Sequence, residues 1–333
     1  MTRFYKIAAI VVALLALIFL GPQAEKPVFD TSWPELPDQS AALEAAVVNR
    51  EAAFQLKPEN AAQIIWANDS LRTVTEYALV YIPGFTASHH EGDSVHRSIA
   101  KRYGWNLYLA RNDEHGLDTS EALIGLTAEK YWQGAKYALA VGKKLGKKVI
   151  LMSTSTGGTV SLKLAATFQD EVAGLILYSP NIAINDPNAW LLNNPWGLQI
   201  ARLVIGGKYI VPSDTTALYR RYWDAPYRIE GAVAVQELVE RSMVPETFQK
   251  VKQPTLLMYY YQDEENQDPV VKVSAMRAMF KELGTPADQK QDAPMPKTGN
   301  HVIATPLKSN DVGGVMEGTA AFLERIYGVQ PRM

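Results

Sequence analysis

The chain contains no cysteine, and only five of its 333 residues are histidine. The first absence excludes disulfides, thiolate metal sites and a cysteine nucleophile. The histidines are His89, His90, His96, His115 and His301. None falls in an H-E-x-x-H pattern. His89, His90 and His96 form the one sequence cluster, which reads as a polar surface loop, so no metal is expected. An excess of one charge is also lacking: 33 Lys and Arg stand against 35 Asp and Glu, a formal charge of −2. No basic face is implied, and nucleic acid is not an expected partner. Internal repeats and low-complexity tracts are absent. What is present is ordinary globular material, 47% hydrophobic and 20% charged, enough for one large α/β domain or two small ones.

One long hydrophobic run stands out. Arg3 and Lys6 precede fourteen uninterrupted apolar residues, Ile7 to Leu20. A positive segment followed by such a run reads as a secretion signal or signal anchor. As a helix it would span roughly 21 Å, short of a full hydrocarbon core unless its flanks are counted. No clean small-x-small cleavage site follows, since Pro22 stands two residues before Ala24. The pattern therefore favours an uncleaved anchor in the cell membrane. The positive end would be cytoplasmic and the remaining domain extracytoplasmic (periplasmic), or secreted if the segment is cut.

Beyond residues 1–24, a Pro-rich and acidic stretch over 25–40 reads as a linker. Residues 41–56 look helical. Gln63–Ala67, Tyr77–Ile82, Asn106–Ala110, 148–152, Gly174–Tyr178 and Thr255–Tyr261 read as strands, with another near 289–295. Helical patterns cover Ala128–Leu145, Val160–Phe168 and a C-terminal stretch near Glu317–Tyr327. Strands alternating with helices predict an α/β fold, a mostly parallel sheet with helices on both faces. Residues 181–250 break the rhythm and carry Trp190, Trp196, Tyr209, Tyr219, Tyr222, Trp223 and Tyr227. We expect 41–180 and 251–330 to form the core, and 181–250 a helical cap (lid) over the C-terminal edges of the strands, where open α/β sheets bind ligands.

The most informative local pattern is Val149-Ile150-Leu151-Met152-Ser153-Thr154-Ser155-Thr156-Gly157-Gly158. A buried strand stops, a Ser-x-Ser-x-Gly turn follows, and a helical pattern begins at once. A serine at the apex of a strand-to-helix turn is exposed for nucleophilic attack; the alternative is a simple helix cap. Such a serine needs a base, an acid to orient that base, and donors for an oxyanion. His301, in Gly299-Asn300-His301-Val302-Ile303, is the only histidine after Ser155, and it can serve as the base. Two acids compete: Asp263 directly follows a strand, and Asp268 opens Asp-Pro-Val-Val. Asp268 is favoured. Backbone N–H groups of Phe85, in Ile82-Pro83-Gly84-Phe85-Thr86, and of Thr156 are the candidate oxyanion donors.

These residues together resemble the α/β-hydrolase superfamily, and within it the bacterial carboxylesterase and monoacylglycerol lipase-like serine hydrolases. The resemblance covers about residues 75–328. Ile82-Pro83-Gly84-Phe85-Thr86-Ala87-Ser88 looks like the family's H-G-F-T-G-S loop, with Pro83 in place of histidine. Asn112-Asp113-Glu114-His115-Gly116 looks like its P-G-H-G turn, and Asn300-His301-Val302-Ile303 like its G-H-V-I segment. Ser153 replaces the first glycine of the family's G-x-S-x-G, Thr156 replaces a common methionine, and the acid loop is longer than usual. The resemblance implies a cofactor-free serine esterase acting on a small-molecule acyl ester or lipid-like substrate, with His115 holding loop structure. Two alternatives remain open: a thioesterase or amidase on the same residues, and a non-catalytic binding protein of this fold.

Overall fold

The computed structural model describes residues 4–9, 17 and 20–332. Its elements run α1 (Ser40–Ala52), β1 (Gln63–Ile65), β2 (Thr75–Ile82), α2 (Val95–Tyr103), β3 (Asn106–Leu109), α3 (Ala128–Leu145), β4 (Gly146–Thr154), α4 (Thr156–Thr167) and β5 (Val172–Tyr178). Between β5 and the next strand of the main sheet come α5 (Gly197–Ile205), β6 (Tyr209–Ile210), α6 (Ala217–Tyr222), β7 (Tyr227–Arg228), α7 (Ile229–Ser242) and α8 (Pro245–Lys250). The chain closes with β8 (Thr255–Tyr259), α9 (Val273–Glu282), β9 (Lys290–Pro294) and α10 (Val312–Tyr327).

Seven strands form one sheet in the order β1-β3-β2-β4-β5-β8-β9. Only β1 is antiparallel to its neighbour; the others pair parallel. The central strands are nearly continuous apolar runs because both faces are covered. Alternate residues feed two separate cores, as a two-residue side-chain period requires. Ala78, Val80, Ile82, Leu151 and Leu177 face one core, with Trp132 and Leu139 of α3 and Val160 of α4. Tyr77, Leu79, Tyr81, Met152 and Tyr178 face the other, with Ile99 of α2 and Phe322 of α10. The edge strand β9 is the polar one, half-exposed along its length.

The expected parallel α/β architecture is therefore present. Helix α2 and the small β6–β7 ribbon are not among the elements that the sequence patterns single out. The proline-rich stretch before α1 lies against α3: Trp132 Nε1 donates to the Asp30 carbonyl at 2.8 Å, and Lys136 Nζ to Asp30 Oδ2 at 2.6 Å. The apolar run 7–20 lies for the most part outside the described residues. Among the described residues, no helix is long and apolar enough to cross a membrane.

The histidine cluster corrects an expectation. His89 and His96 are not on a surface loop but buried, each 1% exposed or less. The chain after β2 folds back through a short 3-10 turn, His89–Gly92, into α2. His96 Nε2 lies 2.9 Å from the His89 carbonyl, and His89 Nε2 lies 3.1 Å from Gln63 Nε2 on β1. His90 stacks on Tyr222 with ring centroids 3.9 Å apart. Aromatic packing and ring hydrogen bonds make burial tolerable for side chains that composition alone assigns to solvent.

Candidate active site

Strand β4 ends at Thr154 and helix α4 starts at Thr156, so the whole turn rests on Ser155. Its backbone sits at φ 53°, ψ −122°, a conformation L-residues rarely adopt. Hydrogen bonds hold it there: the Ser155 amide donates to the Tyr178 carbonyl at 3.0 Å, and the Ser155 carbonyl accepts from Gly158 at 2.8 Å and Asn181 at 2.9 Å. The glycine at position 157 is compulsory. A β-carbon there would lie 2.1 Å from the Ile82 carbonyl oxygen and 2.7 Å from that of Pro83, both backbone atoms. Ser153, by contrast, is paired in the sheet opposite Ile82 and Leu177 in ordinary strand geometry, so the position does not demand glycine.

His301 and Asp268 meet across a large sequence gap. His301 Nδ1 lies 2.6 Å from Asp268 Oδ2. The other carboxylate oxygen, Oδ1, accepts the amides of Val270 at 2.8 Å and Val271 at 3.1 Å. Burial pushes the Asp268 carboxyl up. The positive imidazole of His301, its hydrogen bond and the two amides outweigh that and leave the carboxyl below the usual aspartate range. For His301, burial pulls the imidazole down, but the charge and hydrogen bond of Asp268, with the charge of Glu91, bring it above its ordinary value.

Asp263 does not reach this histidine. It is exposed, and its carboxylate binds the side chain and amide of Asn266 and the amide of Glu265. The reason lies in the loop. Tyr261 bridges to Gln267, the Gln262 amide donates to the Asn266 carbonyl at 2.8 Å, and the Asp268 amide returns to the Tyr260 carbonyl at 3.1 Å. Residues 262–267 thus form an excursion into solvent. The chain re-enters at Asp268, beside the strand end it had left.

Ser155, Thr156, His301 and Phe85 all line one cavity of about 540 Å³. Its remaining wall is mostly apolar, from Ile184, Val235, Val270 and Val271, with Tyr219, Trp223 and Tyr227 contributed from between β5 and β8. These aromatics are tied to the loop after β2 by short-range pairing. Ala87 bridges to Trp223, the Ser88 amide donates to the Tyr222 carbonyl at 2.8 Å, and the Asp224 amide to the Thr86 carbonyl at 2.8 Å. The Phe85 amide has no acceptor among the described residues. Thr156 opens α4, where the first amides of a helix lack internal partners. Both are therefore free to serve an incoming oxygen atom.

His115 is buried and its Nδ1 lies 2.9 Å from the Asp113 carbonyl. The loop it belongs to is anchored by a buried ion pair, Arg111 Nε to Glu51 Oε2 at 2.6 Å. Three residues of the site were not legible in the sequence. Asn112 Nδ2 donates to the Pro83 carbonyl at 2.9 Å, Asn181 holds the serine turn, and Glu91 opens onto the cavity. Asn112 and Asn181 hold backbone atoms of distant segments, and Glu91 holds one seven residues back across an irregular turn, so no spacing rule reveals them.

An imidazole acts as a base only when neutral, which for His301 means above its raised pKa. If His301 serves as the base of a hydrolysis, the acid limb of kcat/KM should fall at a pH above the 6.5 of an ordinary histidine. A pH–rate profile on p-nitrophenyl butyrate measures it; a limb well below 6.5 would show that Asp268 does not support this base.

No known family profile matches this sequence, and no curated protein matches it at the sequence level. Solved structures do match. One is from work on LipS and LipT, two metagenome-derived lipolytic enzymes: 16% identical, covering 81% of this chain and 100% of that one, with a TM-score of 0.65. The monoacylglycerol lipase of Paleococcus ferrophilus is 14% identical over 79% of this chain and 98% of its own, TM-score 0.58. A thermophilic esterase from Thermogutta terrifontis is 19% identical over 80% and 93%, TM-score 0.51. This chain has the α/β-hydrolase fold.

Proposed function

We propose that the protein is a serine hydrolase of carboxylic esters, carboxylesterase or lipase-like, using Ser155, His301 and Asp268. The observation that carries the reading is the 2.6 Å contact between buried Asp268 and His301, on the wall of the cavity that the strained Ser155 turn also lines. In the first step His301 Nε2 takes the Ser155 hydroxyl proton as Oγ adds to the acyl carbonyl. The Phe85 and Thr156 amides hold the oxyanion, and His301 then protonates the departing alcohol. In the second step His301 deprotonates a water molecule, which adds to the acyl-enzyme. Collapse releases the acid and returns the proton to Ser155. The similar structures are of lipolytic enzymes and an esterase, which supports an ester as the electrophile. The apolar, aromatic wall supports an acyl or lipid-like substrate. The membrane anchor over the N-terminal apolar run, with the domain outside the cytoplasm, is part of this proposal and rests on the sequence pattern alone.

The test is covalent labelling with a fluorophosphonate, followed by a substrate panel. We expect a single adduct on Ser155 and the fastest turnover on p-nitrophenyl esters rather than on acyl thioesters or anilides. A folded protein that takes no label would instead be a binding module. Faster thioester or anilide cleavage would keep the nucleophile and change the bond it breaks.

A further inference from the structure

One buried acid in the cavity wall has no part in the steps above. Glu91 lies in the 3-10 turn after β2 and is 2% exposed. Its Oε2 accepts the Gly84 amide at 2.6 Å. A β-carbon at Gly84 would lie 3.0 Å from Glu91 Oε1 and 2.9 Å from Ser155 Cβ, so the carboxyl and the serine flank the same glycine. We propose that Glu91 is a positioning residue for ester hydrolysis, holding the Gly84 amide so that the next one, Phe85 N–H, faces the oxygen of the bound acyl group. The inference rests on the serine hydrolase reading above.

The peptide joining Pro83 to Gly84 is held on both sides. Glu91 takes the Gly84 N–H, and Asn112 Nδ2 donates to the Pro83 carbonyl at 2.9 Å. With Pro83 lacking an N–H and Gly84 occupied, the first unclaimed amide in the loop is that of Phe85. Preorganised donors are effective because they need not turn at the moment the oxyanion forms. Burial pushes Glu91 up to about 7, against the Gly84 amide, the His301 charge and the Tyr81 hydroxyl, which act downward. The other titratable groups that sense it are phenols: Tyr131 of α3 and Tyr219 of α6. Tyr81 also shares a 2.9 Å hydrogen bond with Thr154 Oγ1. His301 is the imidazole facing Glu91, and the Glu91 charge is one cause of its raised pKa.

The experiment compares Glu91→Gln with Glu91→Ala in the full-length protein, reading kcat, KM and the pH profile on p-nitrophenyl butyrate. The parent is first labelled at Ser155 by fluorophosphonate. An unlabelled parent defeats the hydrolase reading itself, whereas a labelled parent leaves only Glu91 in question. We expect Glu91→Ala to lose about 10- to 100-fold in kcat, somewhat less than removal of a whole oxyanion donor, with KM within about threefold. Glu91→Gln keeps an oxygen for the Gly84 amide. It should recover kcat to within about threefold of the parent, and its acid limb should move to lower pH because the neighbouring negative charge is gone. If Glu91→Ala does not fold, the Gln variant decides alone. Unchanged kcat in the Ala variant, or a Gln variant with poor kcat or an unmoved limb, overturns the proposal.

Discussion

Ser155→Ala should abolish ester hydrolysis, lowering kcat by at least about 10⁴-fold, while leaving the fold intact. Removing a nucleophile from a coupled set costs about as much as removing the whole set, and what survives is the contribution of binding and oxyanion donors. The stability side of the expectation follows from the turn. The bonds that hold position 155 are made by its backbone, to Tyr178, Gly158 and Asn181, and alanine makes them equally well. Alanine also has no more difficulty than serine with a φ of 53°. The melting temperature should therefore stay within a few degrees of the parent. Initial rates on p-nitrophenyl butyrate and a thermal melt measure both. Residual activity within tenfold of the parent, in protein free of contaminating esterase, would remove Ser155 as nucleophile.

Asp268→Asn should lower kcat by about 10³- to 10⁴-fold, whereas Asp263→Asn should leave it within a factor of two or so. The first loss has a specific cause in the hydrogen bonds. Oδ1 of Asp268 accepts two amides, from Val270 and Val271, so an asparagine must keep its carbonyl oxygen there. Its NH₂ group then points at His301 Nδ1, which can only accept from it. The proton of the neutral imidazole is driven to Nε2, the nitrogen that has to receive the serine proton. Asp263 has no comparable partner; its bonds stay within its own loop, to Asn266 and Glu265. Equal losses in the two variants, or a loss confined to Asp263→Asn, would overturn the assignment of the acid.

The difference between those two aspartates shows where sequence reasoning stopped. Both follow β8 in the chain, and both are carboxylates in an acidic run. Proximity in sequence favoured Asp263, and the apolar Pro-Val-Val context favoured Asp268. What separates them is the Tyr261–Gln267 bridge, which pinches the intervening residues into solvent. That is a pairing between backbone groups, and side-chain identity does not announce it. The histidines failed for a related reason. Polarity placed His89 and His96 outside, but a 3-10 turn and the start of α2 carry His89 against His90 and β1 and His96 against Tyr81, where ring contacts and hydrogen bonds replace water. Helix α2 itself was missed because its nine residues are short and strongly charged, with apolar positions at Val95 and Ile99 giving too little periodic signal.

Other parts were legible because their causes are local. The central strands are apolar on both faces, so they read as uninterrupted runs. The sharp turn at Ser155 needs Gly157, since the backbone of Ile82 occupies the space a β-carbon would fill. The order of serine, acid and histidine along the chain, each after a strand, also survives in one dimension. The amino-acid sequence by itself therefore determined the parallel α/β architecture, the apex serine and the histidine, His301, that meets an aspartate. Only the tertiary structure decided which aspartate meets His301, which aromatics wall the cavity, and that Glu91 takes the Gly84 amide. Those contacts range from a turn's width to well over a hundred residues of separation, set by how strand ends converge at one edge of a sheet, and no local propensity or spacing encodes them.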